Sequence, residues 1–322
     1  MQHFAAAFGK QSPQFTGHET FPLRYGWLKK SHDAVVSYYQ NEPSGDAKAV
    51  FLRPDAIAEF GVGKNMVQAI RHWSVATGML SEDPEKKHLI PSSFGNFLMG
   101  DRSFDLFLQK HDSLWLIHWN LVSNPARVTW HWAFNYFSRQ SFEREYLVRS
   151  LASLSTENEW KGASLATLKR DVECFLRTYA SRPTTKRMSP EDAIECPLAE
   201  LSLIKQLGRR DSFRFVDGDQ NTLSSGVFTY ALIDFWQRYH PSSSTLSFER
   251  ILHDPGSPGR IFRLSEAAIA DRLEEIELVS GGLIGETQTS GLKQAVCYDM
   301  DLIASPWSEV EKVSFLEAIL DE

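Results

Sequence analysis

Apolar positions in the first hundred residues recur mostly with a helical period and are broken by turn residues. Trp27, Leu28, Ala34, Val35 and Tyr38 keep helical spacing, and Pro22 suits a first-turn position, so a helix is expected from Leu23 to Tyr39. Asn41–Asp46 is a turn cluster. Pro54 to Phe60 reads as a short helix, Gly61-Val62-Gly63 as a tight turn, and Asn65 to Thr77 as a longer helix stopped by Gly78. A polar stretch, Ser81–Lys87, leads into an alternating segment near His88–Phe94. That order is expected of a winged helix-turn-helix module. In the helix from Asn65, Val67, Ile70 and Trp73 or Ser74 make one stripe, while Lys64, Gln68, Arg71 (or His72) and Val75 make another. A recognition helix needs such an arrangement: one face to dock and long hydrogen-bonding side chains to reach bases and phosphates.

From Arg102 to about Gly208 the pattern is mostly helical, with candidates at 114–122, 129–137, 142–154, 165–179 and 197–207. Helices at 227–239, 246–252 and 264–276 follow, then two hairpin strands in Gly281–Thr287 and Gly291–Tyr298. The expected fold is mainly α: an N-terminal winged helix-turn-helix domain (1–100), a helical middle domain (101–225) and an acidic, winged-helix-like C-terminal domain with small β-hairpins (226–322).

Composition sharpens this picture. The 322 residues are 42% hydrophobic and include 9 Trp and 21 Phe, too much apolar mass for a disordered chain. The net charge is −7, but Ser265–Glu322 alone holds 3 basic against 13 acidic residues. The rest is near neutral and can carry a basic face, whereas the acidic helix at 264–276 would repel phosphates. No apolar run approaches the roughly 18 residues of a membrane span. Three dispersed cysteines and no secretion signal fit a reducing, cytoplasmic setting without a membrane.

The candidate chemistry is sparse. Gly61-Val-Gly63-Lys64-Asn65 lacks the outer glycine and the Ser/Thr of a phosphate loop, so its glycines are read as turn formers. Lys64, Asn65, Gln68, Arg71 and His72 are the central DNA-contact candidates, joined by Arg24, Lys29, Arg182, Lys186 and Arg187. Lys205, Arg209, Arg210 and Arg214 form a further basic group. His18 and Glu19 could serve as acid and base or hold a metal, although a structural role fixing the first helix is favoured. Metal-assisted nicking needs converging acids. Asp171 with Glu173, Glu191 with Asp192, Asp217 with Asp219, and Glu159-Trp-Lys161 are the candidates by type, each also readable as a solvated face or a cap. The Trp-rich stretch 115–132 is read as core rather than as a base-stacking surface.

Phe15-Thr-Gly-His-Glu-Thr-Phe-Pro-Leu-Arg-Tyr-Gly-Trp-Leu-Lys-Lys30, followed by Phe60-Gly-Val-Gly-Lys-Asn-Met-Val-Gln-Ala-Ile-Arg-His-Trp73 and Ala76-Thr-Gly78, resembles a bacterial family of unknown function. Its members occur in DNA phosphorothioation gene clusters and include SspB, the DNA-nicking component of the single-strand phosphorothioation (Ssp) defence system. Weaker matches lie at 170–175, 191–198 and 257–259. The resemblance implies nicking of DNA, with Mg2+ or Mn2+ as the expected ion. The implied partners are DNA, a cysteine desulfurase, an ATPase and an ATP pyrophosphatase, with room for a homodimer. It carries over no catalytic residue. A non-catalytic scaffold that positions the sulfur-transfer enzymes, or a transcription regulator, are the alternatives.

Overall fold

The computed structural model describes residues 12–180, 196–208, 211–289 and 291–320. They form a mainly helical fold with three small, open antiparallel sheets. The chain divides into two compact units, one built from residues 1–133 and 138–216, the other from 134–137 and 217–322.

In the first unit, α1 (Trp27–Asn41) is followed by two short helices, α2 (Ala49–Leu52) and α3 (Ala56–Phe60), and by α4 (Lys64–Ala76). The helix expected from Leu23 begins instead at Trp27, because Gly26 is left-handed (φ 78°) and ends helical geometry there. Gly61, also left-handed (φ 66°), closes α3, and α4 starts three residues on. On α4, Val67, Ile70, Trp73 and Ser74 are buried, as the apolar stripe requires. Lys64 and Asn65 are exposed, and Gln68, Arg71, His72 and Val75 are half-buried. The hairpin β1 (Leu80–Glu82) and β2 (Leu89–Pro91) follows, paired Leu80 to Pro91 and Glu82 to Leu89. Phe94 leaves the expected alternating segment and joins α5 (Ser93–Met99), whose N-terminus is capped by Ser92.

The remainder of this unit is α6 (His111–Val122), α7 (Val128–Asn135), β3 (Ser141–Glu143), α8 (Arg144–Glu157), α9 (Leu165–Tyr179), β4 (Ile204–Gln206) and β5 (Ser212–Phe215). The last residues of α7 are counted with the second unit. Trp115, Trp119, Trp130 and Trp132 are all buried, so the Trp-rich stretch is core. The helix expected over 197–207 is a 3-10 turn, Pro197–Leu201, ended by Ser202 in a left-handed conformation and followed by β4. Strand order is β3-β5-β4, with Lys205 opposite Arg214.

The second unit contains α10 (Ser225–Tyr239), β6 (Thr245–Ser247), α11 (Phe248–His253), α12 (Pro258–Phe262), α13 (Glu266–Val279), β7 (Ile284–Thr289), β8 (Leu292–Cys297), α14 (Asp301–Ala304) and α15 (Glu309–Leu320). Helix α10 is buried along nearly its whole length, and α13 packs on it and on β7. The buried Arg272 guanidinium donates to the carbonyls of Asp219, Gln220 and Leu223, tying α13 to the loop before α10. Among the described residues, no helix is long and apolar enough to cross a membrane.

Candidate functional site

The segment 15–20 brings the most distinctive sequence stretch against α4. Gly17 (φ 110°) passes so close to His72 that a Cβ there would lie 2.5 Å from the His72 Nδ1, so only glycine fits. His18 turns inward and is 2% exposed. Its Nδ1 accepts from the Thr20 amide at 3.0 Å, which leaves the ring proton on Nε2 to be donated to Asp171 Oδ1 at 2.8 Å. The Thr129 hydroxyl donates to the other Asp171 oxygen. Burial pushes the Asp171 carboxyl up, while His18, Thr129 and the nearby Arg127 charge pull it back. This anchor, with Arg177 donating to the Thr20 carbonyl, holds Glu19 (φ 49°) and Thr20 (φ 69°) consecutively in left-handed backbone. Each such residue costs about 1–2 kcal/mol, and a β-branched Thr is a rare occupant. The result delivers the exposed Glu19 to the wall of a cavity.

The cavity has a volume of about 330 Å³ and lies wholly within the first unit. Gln14, Glu19, Lys48, Gln68, Arg71, His72, Glu82 and Arg127 supply its polar lining. Lys48 and Glu82 neutralise each other at 3.2 Å. Arg71 has no carboxylate within 4.0 Å among the described residues. Arg127 is 6% exposed, and one of its terminal nitrogens donates to the Gln14 side-chain oxygen. Its Nε meets no acceptor, and no carboxylate lies within 4.0 Å among the described residues. Burial therefore lowers its pKa to about 10, with the Asp171 charge opposing the fall. Burial also takes His72 well below its ordinary value, and the charges of Arg127 and Arg71 add to the effect, so the imidazole is neutral at pH 7. Its ring stands edge-on to those of His18 (5.6 Å) and Trp73 (5.5 Å).

The structure therefore gathers Glu19, Gln68, Arg71 and His72 from the expected set at one cavity. Gln68 spends its amide donor on the Phe51 carbonyl at 3.1 Å. Lys64 and Asn65 stand exposed at the start of α4, and Lys29 is paired with Asp33. The other candidates lie elsewhere. Arg24 is 6% exposed, its guanidinium lying over Phe21 (5.6 Å) and Trp27 (5.5 Å), which removes it from a DNA-facing surface. His18 and Asp171 are buried and bonded to each other at 2.8 Å. Glu173 pairs with Arg144 at 2.7 Å, Asp217 with Arg263 at 2.6 Å, and Asp219 accepts from Ser265. No group of three or more His, Cys, Asp or Glu placed to hold a metal occurs among the described residues. Arg182, Lys186, Arg187, Glu191, Asp192, Arg209 and Arg210 lie outside the described residues. Sequence reasoning missed Arg127 and Lys48. Their signal is tertiary, since neither belongs to a motif or to the α4 face.

The family model described as "Protein of unknown function (DUF4007)" matches residues 15–311. The chain belongs to the DUF4007 family. Two solved structures resemble this DUF4007 chain over nearly its whole length. One, described as "SspB crystal structure", shares 27% identity at a TM-score of 0.77, covering 95% of this chain and 87% of the other. The second, "Magnesium ion-bound SspB crystal structure", shares 28% identity at the same TM-score, covering 94% and 88%. The DUF4007 chain is thus SspB-like. No curated protein matches it.

Proposed function

We propose that this chain is the DNA-binding and DNA-nicking component of a bacterial single-strand phosphorothioation system, working with a cysteine desulfurase, an ATPase and an ATP pyrophosphatase. The observation that carries this reading is the cavity at which the 15–30 and 60–73 motifs meet, lined by Glu19, a neutral imidazole and two arginines that have no carboxylate partner among the described residues. The order α1 to α4 followed by a hairpin supports a winged helix-turn-helix, with Lys64, Asn65 and Arg71 on the recognition helix. Lys205 and Arg214, both exposed and directly opposed across β4 and β5, add positive surface that a polyanion would offset.

Chemically, Arg71 and Arg127 stabilise charge gathering on a phosphate, and the neutral His72 ring offers one hydrogen-bond donor and one acceptor beside them. The likeness to a magnesium-bound SspB supports Mg2+ as the ion. Mg2+ is commonly held by only one or two carboxylates together with substrate phosphates and water, and Glu19, which has no ion-pair partner among the described residues, fits that role. Bound there, the ion would act as a Lewis acid on the phosphate.

The test is conversion of supercoiled plasmid to open circles. Purified protein with Mg2+ should nick, EDTA should stop it, and Glu19→Gln should reduce it at least about a hundredfold, the scale of a lost acid–base or metal group. Failure to nick with any divalent ion, while DNA is still bound, would leave the scaffold reading in its place.

A further inference from the structure

A cation as deeply buried as Arg127 ordinarily has a carboxylate beside it or a full set of acceptors around it. Among the described residues Arg127 has one acceptor, Gln14, for one terminal nitrogen, and its Nε has none. Its nearest acidic influence, Asp171, is already engaged by His18 and Thr129. Arg71 also lines the cavity without a carboxylate partner among the described residues. Lys48 and Glu82 cancel, which leaves Glu19 as the acid facing two guanidinium groups. The cavity has a net positive charge and donor capacity that the described residues do not use.

Size narrows what can fill it. Ligand sites commonly run from about 300 to 1,000 Å³, and this cavity lies at the lower end. A duplex cannot enter such a space. One phosphate with part of its nucleotide can, provided that nucleotide is drawn out of its stack. We infer that the first-unit cavity is a pocket for a single phosphate group of an unstacked nucleotide, with Arg127 as its buried cation and Arg71 as its outer one.

The phosphate assignment stands on the cavity alone. The nucleotide as carrier rests on the reading of this chain as a DNA-acting protein. Planar guanidinium groups suit the task, because two of their N–H bonds can meet two oxygens of one phosphate. Gln14 contributes as well: its oxygen accepts from Arg127, and its amide N–H bonds are donors that no described residue takes up.

The experiment uses the full chain in chloride buffer of fixed ionic strength and reads thermal stability and calorimetric binding. Inorganic phosphate is expected to raise the melting temperature saturably, and deoxyadenosine 5′-monophosphate to displace it, while deoxyadenosine without its phosphate does nothing. Arg127→Met should abolish the response, and Arg71→Gln should weaken affinity about tenfold or more. Lys169→Gln, an exposed cation outside the cavity, should bind as the wild type does. Should Arg127→Met fail to fold, Arg71→Gln carries the test. Wild-type affinity in Arg71→Gln, or no phosphate response beyond matched chloride, overturns the pocket. Phosphate binding that the nucleotide cannot displace overturns the carrier. An intact phosphate response in a protein that never nicks plasmid upholds the pocket and defeats only the nicking reading.

Discussion

Replacing Arg127 by methionine is expected to make the unliganded protein more stable. The residue is 6% exposed and has a single acceptor among the described residues, and burial has brought its pKa to about 10. A fall of that size is worth roughly 3 kcal/mol of lost preference for the charged form, at about 1.4 kcal/mol for each tenfold of proton affinity. Methionine keeps most of the aliphatic packing and removes that cost, but it leaves the Gln14 oxygen without its donor. Apolar replacement of poorly compensated buried charge is typically neutral or stabilising by about 1–4 kcal/mol, so a net gain of about 1–2 kcal/mol is expected. In a unit of this size that is about 2–8 °C. The sign with pH follows from linkage. The folded-state affinity of Arg127 is depressed, so its cost is carried in full at every pH below about 10 and fades as pH rises through that value. The advantage of the variant should therefore be flat across neutral pH and shrink above about 10. Urea unfolding followed by tryptophan fluorescence, in phosphate-free buffer, measures it, with the transitions of the two units fitted separately. If Arg127→Met instead loses more than about 2 kcal/mol, the arginine is a structural keystone, the reasoning from uncompensated burial fails, and the Arg71→Gln binding comparison alone decides the pocket.

Other consequences are equally direct. Gly17→Ala places a Cβ 2.5 Å from His72 Nδ1 at a backbone φ of 110°, so it should destabilise the first unit by about 2–4 kcal/mol through overpacking and left-handed strain. An unchanged melting temperature would show that the 15–20 segment adjusts freely. Asp171 holds its proton more tightly folded than unfolded, so it adds stability in acid that is lost as pH rises through its raised value. Relative to Asp171→Asn, the wild type should lose ground as pH climbs out of the ordinary carboxylate range. A stability difference with the opposite slope in parallel denaturation curves would contradict the assigned burial effect.

The helices that place this cavity were legible in the sequence because period and punctuation agreed. Val67, Ile70 and Trp73 mark the buried face of α4, and Gly61 supplies the left-handed stop before it. The boundaries that slipped had local causes. The left-handed Gly26 ended α1 short of Leu23, and Ser202 broke the expected helix after five residues of 3-10 turn. Burial of charge was harder to see. Arg24 looked like one more base near the polar face of α4, yet it lies over two aromatic rings. Asp171 looked like half of an acid pair, yet it meets a histidine 153 positions away. Contacts at such separations leave no period in the chain, which is also why Arg127 and Lys48 escaped notice.

Two local violations coincide at the cavity. Glu19 and Thr20 occupy strained backbone, and Arg127 holds a charge that nothing nearby fully compensates. Each disfavours folding, and neither is needed to close the core, since α1 and α4 pack on each other and bury Trp27, Leu28, Val35, Val67 and Ile70. Stability alone would favour glycine at position 20 and an apolar residue at 127. The strained Glu19 and the buried Arg127 line the same 330 Å³ space, where a bound phosphate would neutralise the arginines and where the held backbone keeps Glu19 in position beside them. A chain whose acidity is concentrated after Ser265 thus still carries, in its first unit, a compact positive site for an anion.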